Sequence, residues 1–84
     1  MPQRYISRIK DSEKHKKQLH QIGLYLREIR ISDGLNQVEA AERINISVGC
    51  LQGIEHGNNV TVETLYKISD AYDMQMTDFF SDLD

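Results

Sequence analysis

Residues 36–57 read NQVEAAERINISVGCLQGIEHG. Two short helical patterns lie in this stretch, with a turn between them. From Gln37 to Ile44, the apolar residues Val38, Ala41 and Ile44 recur at three-residue steps and share one helix face. Asn36 stands where its side chain can accept a hydrogen bond from a free backbone N–H of the first turn. Asn45 follows, and asparagine tolerates the left-handed region better than most residues. Ile46 is then expected as a buried turn residue and Ser47 as the next helix cap. The second pattern runs from Val48 to about His56, with Leu51 and Ile54 inward and Gly57 as the stop. Helices of about two turns are not stable alone, so the flanking sequence must hold them.

Upstream, Leu19, Ile22, Leu26 and Ile29 recur at three- and four-residue steps. They predict a first helix from a cap at Ser12 to a stop at Gly34. Downstream, Thr61 caps a fourth helix with Val62, Leu65, Ile68 and either Ala71 or Tyr72 inward, and Asp73 breaks it. A short fifth helix holds Met76, Phe79 and Phe80, with Phe79 as the core plug. No segment alternates with a period of two, so no strand is expected. The fold class is therefore all-α with five helices. Two short helices joined by a three- or four-residue turn make a helix-turn-helix, and helices 2 and 3 fit it. The chain divides into a basic N-terminal leader (1–11), the helical domain (12–81) and a tail (82–84).

The chain has 84 residues, 39% hydrophobic and 27% charged, which is an ordinary globular balance. A chain of this size favours one small domain over an enzyme with a deep cleft. No catalytic triad, glycine-rich phosphate loop or paired-carboxylate signature occurs, so no enzyme and no cofactor are expected. One cysteine, Cys50, excludes a disulfide framework. His15 and His20 are not at a helical metal-ligand spacing and His56 stands apart, so no metal site is expected. No apolar run approaches the ~20 residues of a membrane helix, and residues 1–20 lack the apolar core of a signal peptide. These features predict a cytoplasmic protein. The net charge of −3 hides a division: residues 1–30 carry +5 and residues 31–84 carry −8. Total charge would not suggest a nucleic-acid partner, but the basic leader and first helix do not share the acidity of the rest.

In this order the motifs resemble the lambda-repressor-like helix-turn-helix family, also called the Cro/CI or XRE family. Ile22-Gly23-Leu24-Tyr25-Leu26-Arg27-Glu28-Ile29-Arg30 looks like the family's first helix, and Gly34-Leu35-Asn36-Gln37 like the approach to its second. Ala41 matches the small residue where two helices cross. Asn45, Ile46, Ser47, Leu51, Ile54, Glu55 and Gly57 match the turn, the third-helix cap, the inward apolars and the stop. Val62-Glu63-Thr64-Leu65 and Asp78-Phe79-Phe80 match the last two helices. In size the chain is similar to single-domain controller proteins.

The resemblance implies that the third helix lies in the major groove of double-stranded DNA with its N-terminal residues against base edges. It also implies that Arg30 and Glu55 tie the first helix to the third. Gln37 then meets the phosphate backbone, and Ser47, Val48, Gly49, Gln52 and Gly53 form the outward face of the reading helix. Among these five only Gln52 can make a bidentate adenine contact, while Val48 can pack on a thymine methyl. Asn58 and Asn59 follow the helix where the family contacts phosphate. Arg43 either reaches a phosphate or pairs with Glu39 or Glu42 on its own helix. Lys10, Lys14, Lys16 and Lys17 can add salt-dependent affinity, and Arg4 and Arg8 can enter a minor groove. Modest direct readout leaves DNA shape, phosphate contacts and dimer spacing to supply specificity.

Leu24, Tyr25 and Ile31 are apolar where the family has polar surface, so either the leader or a partner covers them; the leader residues Tyr5, Ile6 and Ile9 are the expected cover. Tyr72, Met74, Met76 and Phe80 are the expected homodimer contacts, giving two copies on a pseudo-palindromic operator. The expected function is a sequence-specific, DNA-binding transcriptional regulator or repressor. The alternative is an antitoxin or other protein-interaction module of the same fold, partnered by a toxin or a polymerase.

Overall fold

The computed structural model describes residues 2–80, with side chains described from residue 13 onward. Four α-helices, α1 (Pro2–Ser32), α2 (Gln37–Ile44), α3 (Val48–Glu55) and α4 (Val62–Ala71), are followed by a 3-10 turn, Met76–Phe79. No strand occurs among the described residues. The fifth helix expected from sequence is thus a single tight turn. It spans four residues, too few to propagate an α-helix.

The helix stops fall where the chemistry puts them. Gly34 has φ 73° and closes α1, with the Leu35 N–H donating to Arg30 O at 3.1 Å. Asn45, at φ 68°, ends α2 in the left-handed region, and the Ile46 N–H donates to Ala41 O at 3.0 Å. Asp73 likewise takes a positive φ, 51°, just after α4. The starts are capped by side chains. Asn36 accepts from the Glu39 N–H at 2.8 Å while Glu39 accepts from the Asn36 N–H at 2.9 Å, a reciprocal capping box. Ser47 accepts from the Cys50 N–H at 3.0 Å and Thr61 from the Thr64 N–H at 3.1 Å.

The core is small and contiguous. Ile22 and Leu26 from α1 meet Ala40, Ala41 and Ile44 from α2, Leu51 and Ile54 from α3, Leu65 and Ile68 from α4, and Phe79 from the 3-10 turn. Phe79 is buried and forms a T-shaped pair with Tyr25, their ring centroids 5.8 Å apart. Ile46 is half-buried, so the turn is less enclosed than expected.

Three sequence expectations fail here. Val38 and Val62 point outward, 53% and 62% exposed. Both sit in a first helical turn, and Ala40 rather than Val38 fills the α2 core position. The first helix does not start at Ser12: α1 begins at Pro2, and nothing between Gln3 and Gln21 is a glycine or proline to interrupt it. The leader therefore cannot fold back over Leu24 and Ile31. Along a continuous helix, residue 9 stands about 22 Å from residue 24. Leu24 and Ile31 are 40% and 56% exposed. The side chains of Tyr5, Ile6 and Ile9 and of the tail lie outside the described residues.

Candidate nucleic-acid interface

Glycine makes the approach of α1 to α3 possible. A Cβ built on Gly23 would lie 2.2 Å from Ile54 O, so the two backbones are in direct contact. That approach places the C-terminal half of α1 across the end of α3. Arg30 then reaches Glu55: its Nε donates to Oε2 at 2.7 Å and its Nη2 to Oε1 at 3.1 Å. This is a two-pronged pair with side chains only 12% and 4% exposed. The Arg30 pKa is raised, chiefly by the hydrogen bond to Glu55. Arg30 Nη1 also donates to Leu35 O at 3.1 Å, tying the loop before α2 to the same centre.

The pair continues outward. Gln37 Nε2 donates to Glu55 Oε1 at 3.3 Å, and Gln52 Nε2 donates to Gln37 Oε1 at 3.1 Å. A chain of side chains thus runs Arg30–Glu55–Gln37–Gln52, from a nearly buried ion pair to an exposed amide on α3. Its effect is positional. Two glutamines that would otherwise sample several rotamers are held next to each other at the open face.

Around them α3 presents Ser47, Gly49 and Gln52 to solvent, with Val48 and Gly53 partly covered. Val48 packs against the core, which leaves less of it for outside contact. Gly49 has nothing within 4 Å of where a Cβ would stand. At Gly53 a Cβ would meet Asn58 Nδ2 at 3.1 Å, so exposed Asn58 sits against the flank of the same helix. Gln37, Ser47, Gly49, Gln52, Gly53 and Asn58 therefore form one connected surface centred on α3.

Two expected site residues lie apart from it. Arg43 pairs with Asp33, not Glu39 or Glu42, and its guanidinium lies 5.6 Å from the centroid of the Tyr72 ring. This arrangement links α2 to the end of α1 and to the residue capping α4. Asn59 lines a groove with His15, Leu19 and Phe80. Of the expected dimer residues, Tyr72, Met74 and Met76 pack against the core and Phe80 is 47% exposed. Sequence reading did not single out Gly23 or the link between Gln37 and Gln52. The first left a signal, a glycine inside an otherwise uninterrupted helix. The second left none, because it depends on the crossing of α2 and α3.

Among the described residues no cluster of His, Cys, Asp or Glu could hold a metal ion, and no helix is long and apolar enough to cross a membrane.

The helix-turn-helix family model HTH_3 matches residues 26–79, from the middle of α1 to the 3-10 turn. Among solved structures, an HTH_3 family transcriptional regulator from Vibrio cholerae is similar, with 29% sequence identity and a TM-score of 0.72. The match covers 80% of this chain and 38% of that one. No curated protein matches the chain.

Proposed function

Because the chain belongs to the HTH_3 helix-turn-helix family, which comprises DNA-binding regulators rather than enzymes, we propose that it is a cytoplasmic, DNA-binding regulator of transcription. The observation that carries this reading is the Arg30–Glu55–Gln37–Gln52 chain. It supports a reading in which Gln37, at the start of α2, meets a phosphate and Gln52, on α3, meets a base edge. Gln52 is suited to adenine, whose N6 and N7 match a carboxamide in the major groove. Gln37 and Asn58 fix the register against the backbone.

One copy has too few readers for high specificity, so the protein acts as a homodimer on a pseudo-palindromic site. Phe80 and the exposed α4 residues Val62 and Tyr66 supply apolar surface for that contact. The basic residues of 1–11 add electrostatic affinity and 12–81 carry the recognition unit. Binding of labelled duplex DNA, followed by fluorescence anisotropy, should weaken steeply between ~50 and ~200 mM salt. Light scattering at micromolar concentration should give twice the monomer mass. Salt-independent binding would contradict the DNA reading, and a monomer mass would contradict the dimer.

A second reading, a protein-binding module such as an antitoxin, is favoured by one observation. The exposed part of α3 carries no Arg or Lys, on a stretch of net charge −8 over residues 31–84. Copurification of a basic partner, together with absence of DNA binding, would select it.

A further inference from the structure

Beside Gln37 lies a cleft of about 400 Å³. Its walls come from His20, Leu24, Arg27 and Arg30 on α1, Gln37 on α2, and Glu55 and His56 at the end of α3. The one acid among them, Glu55, is held by Arg30 and Gln37. The groups left facing the opening are Arg27, His20 and His56, all exposed. The fold fixes their relation to one another. Gly57, at φ 91°, turns the chain so tightly against α1 that a Cβ there would lie 3.3 Å from His20 Cα.

The His56 ring is also oriented. Its Nδ1 lies 2.9 Å from Gln52 O. A carbonyl only accepts, so Nδ1 carries the hydrogen and Nε2 is the acceptor of the neutral ring. Protonation turns Nε2 into a donor and adds a positive charge beside Gln37. Among the described residues, the one carboxylate lining the cleft is Glu55, already held by Arg30 and Gln37. Glu28, next to Arg27 in the chain, lines a different cleft with Tyr25 and Asp33.

We propose that His20, Arg27 and His56 form a phosphate site that extends the Gln37 contact, with the two histidines making DNA affinity depend on protons. The ligand is a phosphodiester of the DNA backbone, and the proposal rests on the DNA-binding reading above. Arg27 supplies a permanent charge. Each histidine adds a second charge when it takes up a proton. This device suits a recognition helix without cations of its own, since it supplies positive charge from α1 and from the α3 cap.

The test is anisotropy of a labelled mixed-sequence duplex of about three helical turns with the full chain, at constant ionic strength. Wild-type affinity should rise roughly five- to tenfold per protonated histidine between about pH 7.5 and about pH 5.5, and the salt slope should steepen by about one for each. The variant H20Q/H56Q should lose the acid gain. His15, exposed on α1 but lining the other groove, is the control, and H15Q should keep the full response. H56K should bind more tightly near neutrality, and R27A should weaken binding at both pH values. Circular dichroism at each pH checks folding. An acid gain unchanged in H20Q/H56Q and no tightening in H56K would overturn the phosphate site while leaving DNA binding intact. No binding by wild type at either pH would remove the DNA reading and the site together.

Discussion

Glu55 serves three groups at once: two nitrogens of Arg30 and the amide of Gln37. Because it is nearly buried, removing it strands an arginine that is itself mostly covered. E55A should lower stability by about 3 kcal/mol, as loss of one partner from a buried pair does, read as a shifted urea midpoint. Gly23 is less forgiving still, since a methyl group there meets Ile54 O in rigid backbone. G23A should cost about 3 kcal/mol, far from the gain that alanine brings to an ordinary helix. Tyr72 behaves oppositely. Its hydroxyl is buried without a well-formed hydrogen bond, and the Arg43 guanidinium lies over the ring. Burial, helped by Asp33, raises its pKa. A phenol whose folded pKa is raised keeps its share of stability below the unfolded value, near 10, and loses it as pH rises from there through the folded value. Y72F should be neutral to stabilising by about 1 kcal/mol near neutrality and should lose less stability than wild type above about pH 10, in the same urea assay. The Arg30–Glu55 pair was legible through the family resemblance. Gly23 was legible only as an oddity, because close backbone approach is a property of two helices and not of one.

Helices α2 and α3 are eight residues each and stand because their ends are tied. Every cap that sequence placed in this region, Asn36, Ser47 and Thr61, is used. Capping depends on local spacing alone and reads well from sequence. Inward faces read less well on short helices. In α2 the apolar positions Val38, Ala40, Ala41 and Ile44 fit two overlapping faces, and tertiary packing selected the one with Ala40. The start of α1 was misplaced for another reason. Ser12 suits a cap, but a residue that can cap does not stop a helix already running. Gly49 gives the sharpest test at this scale. It sits in α3 with open space around it, so G49A should add about 1 kcal/mol of stability. The same methyl should weaken DNA binding, because it stands on the face proposed to enter the groove. Thermal melts and anisotropy on one variant would separate the two effects.

At the scale of the whole molecule, α1 sets the shape. Its 31 residues are about 46 Å long and account for the 47 Å longest dimension. The charge follows the same axis in the sequence, +5 over residues 1–30 and −8 over residues 31–84. The proposed division of labour puts recognition on α3, phosphate contacts on Gln37, Asn58 and the cations of α1, and self-association near Phe80. F80A should lower the apparent mass at micromolar concentration while leaving the circular dichroism spectrum unchanged, since Phe79 and not Phe80 fills the core. The central claim is that α3 reads DNA through Gln52, held by Gln37. Its most direct test is selection of bound duplexes from a random pool by wild type and by Q52A. The expected result is an enriched pair of half-sites about one helical turn apart containing an adenine whose preference disappears in Q52A. A pool with no enriched motif, or one whose motif is unchanged in Q52A, would contradict it.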